Sequence, residues 1–203
     1  MIYLYGAGGH AKVVADILEC SGITIGGFFD ADSRKKLWGY PYFSFPGPFS
    51  SAEDQLIISI GDNATRKKIA ETYNVKYAIA VHPSAIISLH SNIGEGCVIM
   101  GNALINADAV IGNHCIINSN ASVDHDCVLG NFVHISPGAV LCGGVTVGDG
   151  TQIGAGAIIL PGKKIGANTV IGAGTVVNID IAENNTAVGN PVRVLKKQEL
   201  PDL

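Results

Sequence analysis

The sequence predicts two parts, a small α/β unit followed by a parallel β-helix built from hexapeptide repeats. Three observations carry this reading. Sixteen positions spaced six apart, from Ile87 to Val177, hold only Ile, Leu or Val. Glycines recur every 18 residues, at Gly94, Gly112, Gly130, Gly148 and Gly166, each directly after one of those aliphatics. Ahead of the repeats, apolar strands alternate with helical stretches, beginning with the turn Gly6-Ala7-Gly8-Gly9-His10-Ala11.

A six-residue period with one aliphatic per step is the signature of short strands joined by turns and wound into a coil. Four residues beyond the aliphatics sit mostly small side chains, as at Cys97, Ala103, Ala109, Cys115, Ala121, Cys127, Ala139, Thr151 and Ala157. The 18-residue superperiod closes three hexads into one turn of a three-sided prism. Five such coils rise roughly 25 Å at the usual strand spacing of about 4.8 Å. Glycine after the aliphatic implies a corner with positive φ or a close backbone approach. Each residue then lies over the one 18 later, which puts Ala107, His125, Gly143 and Pro161 in one column. Cys97 and Cys115 share an inward column and read as buried free thiols; Cys127 occupies a small inward position beside Cys142. Open strand edges need covering, and the segment before residue 82 and the tail "AVGNPVRVLKK" are placed to do it. The expected domains are therefore 1–81 and 82–203, the second including a C-terminal cap.

In the first domain "MIYLYGAGGHAKVVADILECSG" reads as strand, glycine turn and helix, with Val13, Val14, Ile17 and Leu18 on one face. "ITIGGFFDAD" and "DQLIISIGDN" read as further strands, "ATRKKIAETY" as a helix, and "YAIAV" as a last strand. The stretch "KKLWGYPYFSFPGPF" reads as an ordered loop. Strands alternating with helices make a Rossmann-like parallel unit. The glycine turn fits G-x-G-x-x-A, with Asp30 about 20 residues further on. Amides at a helix N-terminus favour phosphate oxygens, and a strand-end acid suits a ribose or base. So short a unit is half of a doubly wound sheet, which favours a mononucleotide or nucleotide-sugar over a dinucleotide. Asp30 and Asp62 at strand ends favour a ligand with hydrogen-bond donors.

Composition narrows the function classes. A net charge of −4 and a pI near 5.8 provide no basic field for nucleic acid or anionic lipid. No apolar run approaches the roughly 20 residues of a membrane span, and Ile2–Tyr5 run into the glycine turn without a basic leader. Five cysteines without a CxxC pair fit reduced thiols in a cytoplasm. His82, His90 and His114 read as surface or turn residues. His125 stands apart, because it lies between Asp124 and Asp126 in an otherwise uncharged run of hexads.

The chain resembles the PglD/NeuD-type bacterial sugar acetyltransferases. "GAGGHAKVVADIL", "SIGDNATRKKI", "VHPSAII", the hexads, "SVDHDC", "GNFVHISPGA" and "VGNPVRVLKK" carry the resemblance over essentially the whole chain. It implies an N-terminal nucleotide-sugar-binding domain, a left-handed coil, acetyl-CoA as co-substrate, no metal, and a homotrimer with acetyl-CoA between neighbouring subunits. It implies His125 as catalytic base with Asp126, often Glu in relatives, as the following acid. His134, Ala155 and Ala173 fall on acetyl-CoA contacts, and Gly8, Gly9, His10, Asp30 and Gly61 on nucleotide-sugar contacts. Asp62 stands where relatives can have Asn.

The implied chemistry suits these residue types. An amine attacking a thioester must lose a proton, and a neutral imidazole accepts one near pH 7. An adjacent carboxylate orients the ring and stabilises its cation. The developing oxyanion needs an amide where side chains leave room, and Gly143 below His125 offers one. The expected reaction is N-acetylation of the 4-amino group of a nucleotide-linked, UDP-type amino-dideoxy sugar. O-acetylation of a sugar such as a sialic acid, and a non-catalytic nucleotide-sugar-binding scaffold, are the alternatives.

Overall fold

A computed structural model describes residues 1–44 and 53–195. The chain begins with β1 (Ile2–Tyr5), α1 (Gly9–Cys20), β2 (Ile25–Phe29), β3 (Gln55–Ile58) and α2 (Asn63–Thr72). The three strands pair in parallel in the order β2-β1-β3. Helix α1 buries Ala11, Val14, Ala15, Ile17 and Leu18. Val13, expected on that face, is exposed, because 11, 14, 15 and 18 form the i, i+3, i+4, i+7 stripe and 13 falls outside it. The loop after Asp30 is ordered through Ser44: Leu37 is buried and the Phe43 N–H donates to the Phe28 carbonyl at 2.9 Å. The remainder of the Pro- and aromatic-rich stretch, 45–49, lies outside the described residues.

The expected last strand of the α/β unit is divided between two sheets. Ala78 N–H donates to Leu56 of β3, whereas two residues later Ala80 N–H donates to Cys97. The second pairing makes β4 (Ala80–Val81) the first strand of the coil. From there the chain winds through sheets of eight, six and five strands, the repeat strands up to Val177 pairing in parallel at a spacing of 18 residues. The first face runs through Val98–Ile99, Ile116–Ile117 and His134–Ile135, the second through Ser122–Val123 and Val140–Leu141, the third through Val110–Ile111 and Val128–Leu129. The eight-strand face makes the coil longer than the five turns counted from the glycines.

From Ile99 onward the repeat aliphatics are at most 2 % exposed, and each side chain so buried stabilises the coil by about 1.5–3 kcal/mol. Cys97, Cys115 and Cys127 are buried in the same core as free thiols. The corner glycines act by close approach alone. A Cβ on Gly112 would sit 2.5 Å from the Gly130 carbonyl, and one on Gly148 2.5 Å from the Ala167 nitrogen. Positive φ falls instead two residues later, at each sixth residue from Gly96 to Gly174. Gly, Asn and Asp dominate those positions, as left-handed backbone requires, with His114 and Phe132 as the bulky departures.

At one end Thr186–Val188 adds a parallel strand and Arg193–Val194 folds back on it antiparallel, covering that edge. Residues 196–203 of the expected cap lie outside the described residues. At the opposite edge the N-terminal unit meets β4, where the Ser21 hydroxyl donates to the Val81 carbonyl at 3.0 Å. It packs along the first face, where Val14, Ile17 and Leu18 share a core with Ala80, Val98, Met100 and Ile116, and Ile86 and Leu89 of the first coil stay exposed. Among the described residues no helix is long and apolar enough to cross a membrane.

Candidate active site

Two assemblies of polar groups stand out. The first lies in the turn from second to third face, where Asp124, His125 and Asp126 follow Ser122–Val123. Asp124 Oδ1 accepts both the His125 N–H at 2.8 Å and the Asn106 Nδ2 from the coil before at 2.7 Å. These bonds pin the backbone on which the imidazole stands. Asp126 takes the positive-φ position of this turn, which turns its carboxylate back toward the ring, and Oδ2 lies 2.7 Å from His125 Nδ1. A carboxylate accepts only, so Nδ1 carries the proton and Nε2 is left as the basic nitrogen. The hydrogen bond that Nδ1–H donates to Asp126, then the charge of Asp124, hold the His125 pKa above its ordinary value.

Nε2 lies over Gly143, as the 18-residue column requires. A Cβ at Gly143 would approach Nε2 and Cε1 at 2.6 Å, so only glycine leaves the ring where it is. Of the two amides in that turn, the Gly144 N–H is committed to the His125 carbonyl at 2.9 Å. The Gly143 N–H donates no backbone hydrogen bond among the described residues. Cys127 is buried with its thiol donating to the Cys142 carbonyl, which leaves it out of the chemistry.

The second assembly is a cavity of about 510 Å³ in the α/β unit, lined by the glycine turn, His10, Asp30, Lys35, Ser59, Gly61 and Thr65 among others. Gly8, Gly9, His10, Asp30 and Gly61 all meet here. The glycines divide into two kinds. Gly6 has φ +116 and a Cβ there would strike Ile60 at 2.8 Å, so the fold itself demands glycine. At Gly8, Gly9 and Gly61 an added Cβ would meet nothing within 4 Å. Among the described residues no contact explains glycine at those three, and all three line the cavity. Gly8 is the N-cap of α1 and makes no side-chain capping bond, so the first-turn amides keep their capacity for an anion.

The two strand-end acids are partly committed to the protein. Asp30 accepts from the Ala7 N–H at 2.8 Å and the Asp32 N–H at 2.9 Å, and pairs with Lys35. Asp62, expected to meet a ligand, caps α2 by accepting from Thr65 N at 2.8 Å; hydrogen bonding from the Thr65 side chain, then from its N–H, lowers the Asp62 pKa. An Asp immediately before a helix signals this role in sequence.

The acetyl-CoA contacts implied by resemblance fall on other parts of the prism. Ala155 and Ala173 stack in the turn from first to second face, where the Gly174 N–H donates to the Ala155 carbonyl at 2.8 Å. Both are exposed. His134 is on the first face, its Nε2 3.1 Å from Asn118 Nδ2. Burial and the nearby Arg66 push its pKa down to about 4, against the pull of a backbone bond with Gly61. His10 is likewise held near 4 by burial, then by His134 and Arg66. Both rings are therefore neutral at pH 7. His134 thus lies at the joint between cavity and coil, a full corner away from His125.

His114, expected as a surface or turn residue, stands in a turn, but a buried one. It is 5 % exposed, stacked on Phe132 at 5.2 Å and met edge-on by Tyr77 at 4.5 Å. Among the described residues its Nδ1 has no hydrogen-bond partner, and burial pushes its pKa down to about 4. The 18-residue column brings Phe132 to the ring, whereas Tyr77 belongs to the segment joining the two units and lies outside that period. Among the described residues no cluster of His, Cys, Asp or Glu is placed to hold a metal.

A glycine-cradled cavity joined to a hexapeptide coil that presents an acid-flanked histidine defines a hexapeptide-repeat acyltransferase. Family models agree on both parts: the PglD N-terminal domain matches residues 1–73, and the bacterial transferase hexapeptide repeat matches 90–125, 126–161 and 144–178. A mutant perosamine N-acetyltransferase from Caulobacter crescentus, solved with CoA and GDP-perosamine, is 37% identical with a TM-score of 0.93, covering 97% of each chain. The acetyltransferase domain of PglB from Neisseria gonorrhoeae FA1090 is 35% identical with a TM-score of 0.88, covering 96% of this chain and 98% of that one. The curated UDP-N-acetylbacillosamine N-acetyltransferase of Bacillus subtilis (strain 168) is 36% identical over 109 residues, 49% of this chain. That match spans about half the length of the curated relative, 50%. The chain belongs to the PglD/NeuD-type bacterial sugar acetyltransferases.

Proposed function

We propose that the chain transfers the acetyl group of acetyl-CoA to the 4-amino group of a nucleotide-linked amino-dideoxy sugar, with a UDP-sugar as the first acceptor to try. The observation that carries this reading is the His125 ring, held by Asp126 at Nδ1 and open at Nε2 over Gly143. The relatives solved or curated are named for GDP-perosamine and UDP-N-acetylbacillosamine, so the sugar class is common to them and the nucleotide is not.

His125 Nε2 takes the proton from the amine as it adds to the thioester carbonyl. Asp126 keeps the ring in the required tautomer and stabilises the imidazolium. The Gly143 amide faces the oxyanion of the tetrahedral intermediate. On collapse the C–S bond breaks and His125 returns its proton to the departing thiolate, so no residue is acylated. The amides of Gly8, Gly9 and His10 hold the diphosphate of the acceptor, with Asp30 and Gly61 beside it. His134, Ala155 and Ala173 line the path of acetyl-CoA.

These groups occupy different corners of one chain, and the cavity borrows no residue from the coil. His125 has a side chain 61 % exposed, an open setting for a base that must act out of water. A homotrimer, in which His125 of one copy meets the cavity and the CoA path of another, resolves both points. Acetyl-CoA offered with a panel of UDP- and GDP-linked 4-amino sugars and hydroxyl sugars, read by thiol release, tests the reaction. Release with hydroxyl acceptors alone would replace N- by O-acetylation.

Gly8→Val separates acceptor binding from acetyl-CoA binding. Open space around Gly8 predicts a folded variant, while the branched side chain fills the phosphate position. The acceptor KM should rise tenfold or more, on the order expected when close backbone contact is lost, with the acetyl-CoA KM little changed. An unchanged acceptor KM would put the acceptor elsewhere.

A further inference from the structure

Arg66 is 1 % exposed, and among the described residues no carboxylate pairs with it. Its five N–H groups are matched by five hydrogen bonds, all to neutral acceptors. Nε donates to the His114 carbonyl at 2.8 Å. One terminal nitrogen donates to the carbonyls of Ile60 at 3.1 Å and Gly61 at 3.0 Å, and the other to Asn63 Oδ1 at 2.7 Å and the Phe132 carbonyl at 3.1 Å. Asn63, oriented in this way, passes its Nδ2 to the Gly150 carbonyl at 3.1 Å. His114, Phe132 and Gly150 are 18 residues apart, the same corner on three successive coils. Their N–H groups are used by the ladder, donating to Glu95, Asn113 and Asn131. Their carbonyls face the α/β unit instead.

One guanidinium therefore ties the cavity wall at Ile60–Gly61 to the stack of coils. The charge is retained at neutral pH, since burial lowers its pKa only to about 10. Neutral backbone acceptors in fork geometry use the planarity of Arg, which Lys lacks. His134 shares the joint through its bond with Gly61.

We propose that Arg66, with Asn63, is a positioning residue that sets the acceptor cavity against the coil and so fixes where the acceptor amine is presented. This rests on the acetyl-transfer reading above. The phosphate cradle of Gly8, Gly9 and His10 stands on β1 and α1 and touches neither residue in the bonds described. Loss of the clamp should misplace a bound acceptor without releasing it.

The test uses full-length Arg66→Met, Arg66→Lys and Asn63→Ala. GDP-perosamine and acetyl-CoA serve as substrates, or whichever nucleotide-linked amino sugar the wild type turns over. Arg66→Met should lower kcat about 10²-fold, the scale of an ångström-level misplacement. The Kd for GDP or UDP by calorimetry should stay within about fivefold, as for a cradle left in place. Asn63→Ala should show the same split at smaller size, and Arg66→Lys should recover only part of the loss. Amide hydrogen exchange should quicken in 58–66 and leave the core of the coil and β1 unchanged. Near-native kcat, or loss of nucleotide binding together with faster exchange across the whole α/β unit, would overturn the proposal. If Arg66→Met does not fold, the other two variants decide by the same criteria. If the wild type acetylates no nucleotide-linked amino sugar, the enzymatic reading fails, and the proposal with it. The exchange pattern then shows separately whether the clamp holds the joint.

Discussion

His125→Ala is expected to cut kcat by about 10²–10⁴, the range for removing a positioned general base. Acetyl-CoA affinity should change little, because Ala155 and Ala173 stand at another corner. Asp126→Asn should cost less, since the ring remains over Gly143 and loses only orientation and basicity. The pH profile separates the roles of the two residues. Asp126 and Asp124 raise the His125 pKa above its ordinary value, and the active form is the neutral ring. Activity should therefore be lost as pH falls through that raised pKa, and kcat/KM should climb over the same interval as pH rises. In Asp126→Asn the climb should move to lower pH, because the ring loses its proton more readily. It should vanish in His125→Ala, leaving only the ionisation of the acceptor amine. A folded His125→Ala enzyme turning over at the native rate would make the histidine structural.

Much of this site is readable from spacing. The 18-residue period places Gly143 under His125, and the structure finds the ring where a Cβ at Gly143 would be. The turn before α1 is legible because Gly6-Ala7-Gly8-Gly9-His10-Ala11 fits G-x-G-x-x-A between a strand and a helix. The features that spacing does not reveal arise where the two units meet. Arg66 reads as one more cation of "TRKK" until the carbonyls of His114 and Phe132 are brought to it. His114 reads as a turn residue because it is one, and only Tyr77 and Phe132 make it buried. Asp62 reads as a strand-end acid for a ligand, yet an Asp just before a helix is equally a cap signal, and the structure shows the cap. The positive-φ positions were legible too, in the Gly, Asn and Asp recurring from Gly96 to Gly174. The glycines after each aliphatic serve close approach instead.

The location of His125 leads to the second large effect, recovery of activity by mixing two inactive variants. If one active site takes its cavity from one copy and His125 from the next, His125→Ala still offers an intact cavity. Gly8→Val likewise still offers an intact His125. Each variant alone should be nearly inactive at low acceptor concentration. Unfolded together and refolded in equal amounts, they should assemble at random around a threefold axis. About a quarter of the interfaces then join an unaltered cavity to an unaltered histidine, by chance pairing in a closed ring. Activity should recover to about a quarter of the wild-type level, far above either parent. Light scattering on the same sample should report three times the 21.0 kDa chain mass. Should the mixture remain at the sum of its parents while the particle is a trimer, each chain must build its own site, and the corner carrying His125 would have to reach the cavity beside it. A fully active monomer would remove the need for sharing altogether. The two failures differ in particle mass, so one sample distinguishes a wrong assembly from a wrong arrangement within the right one.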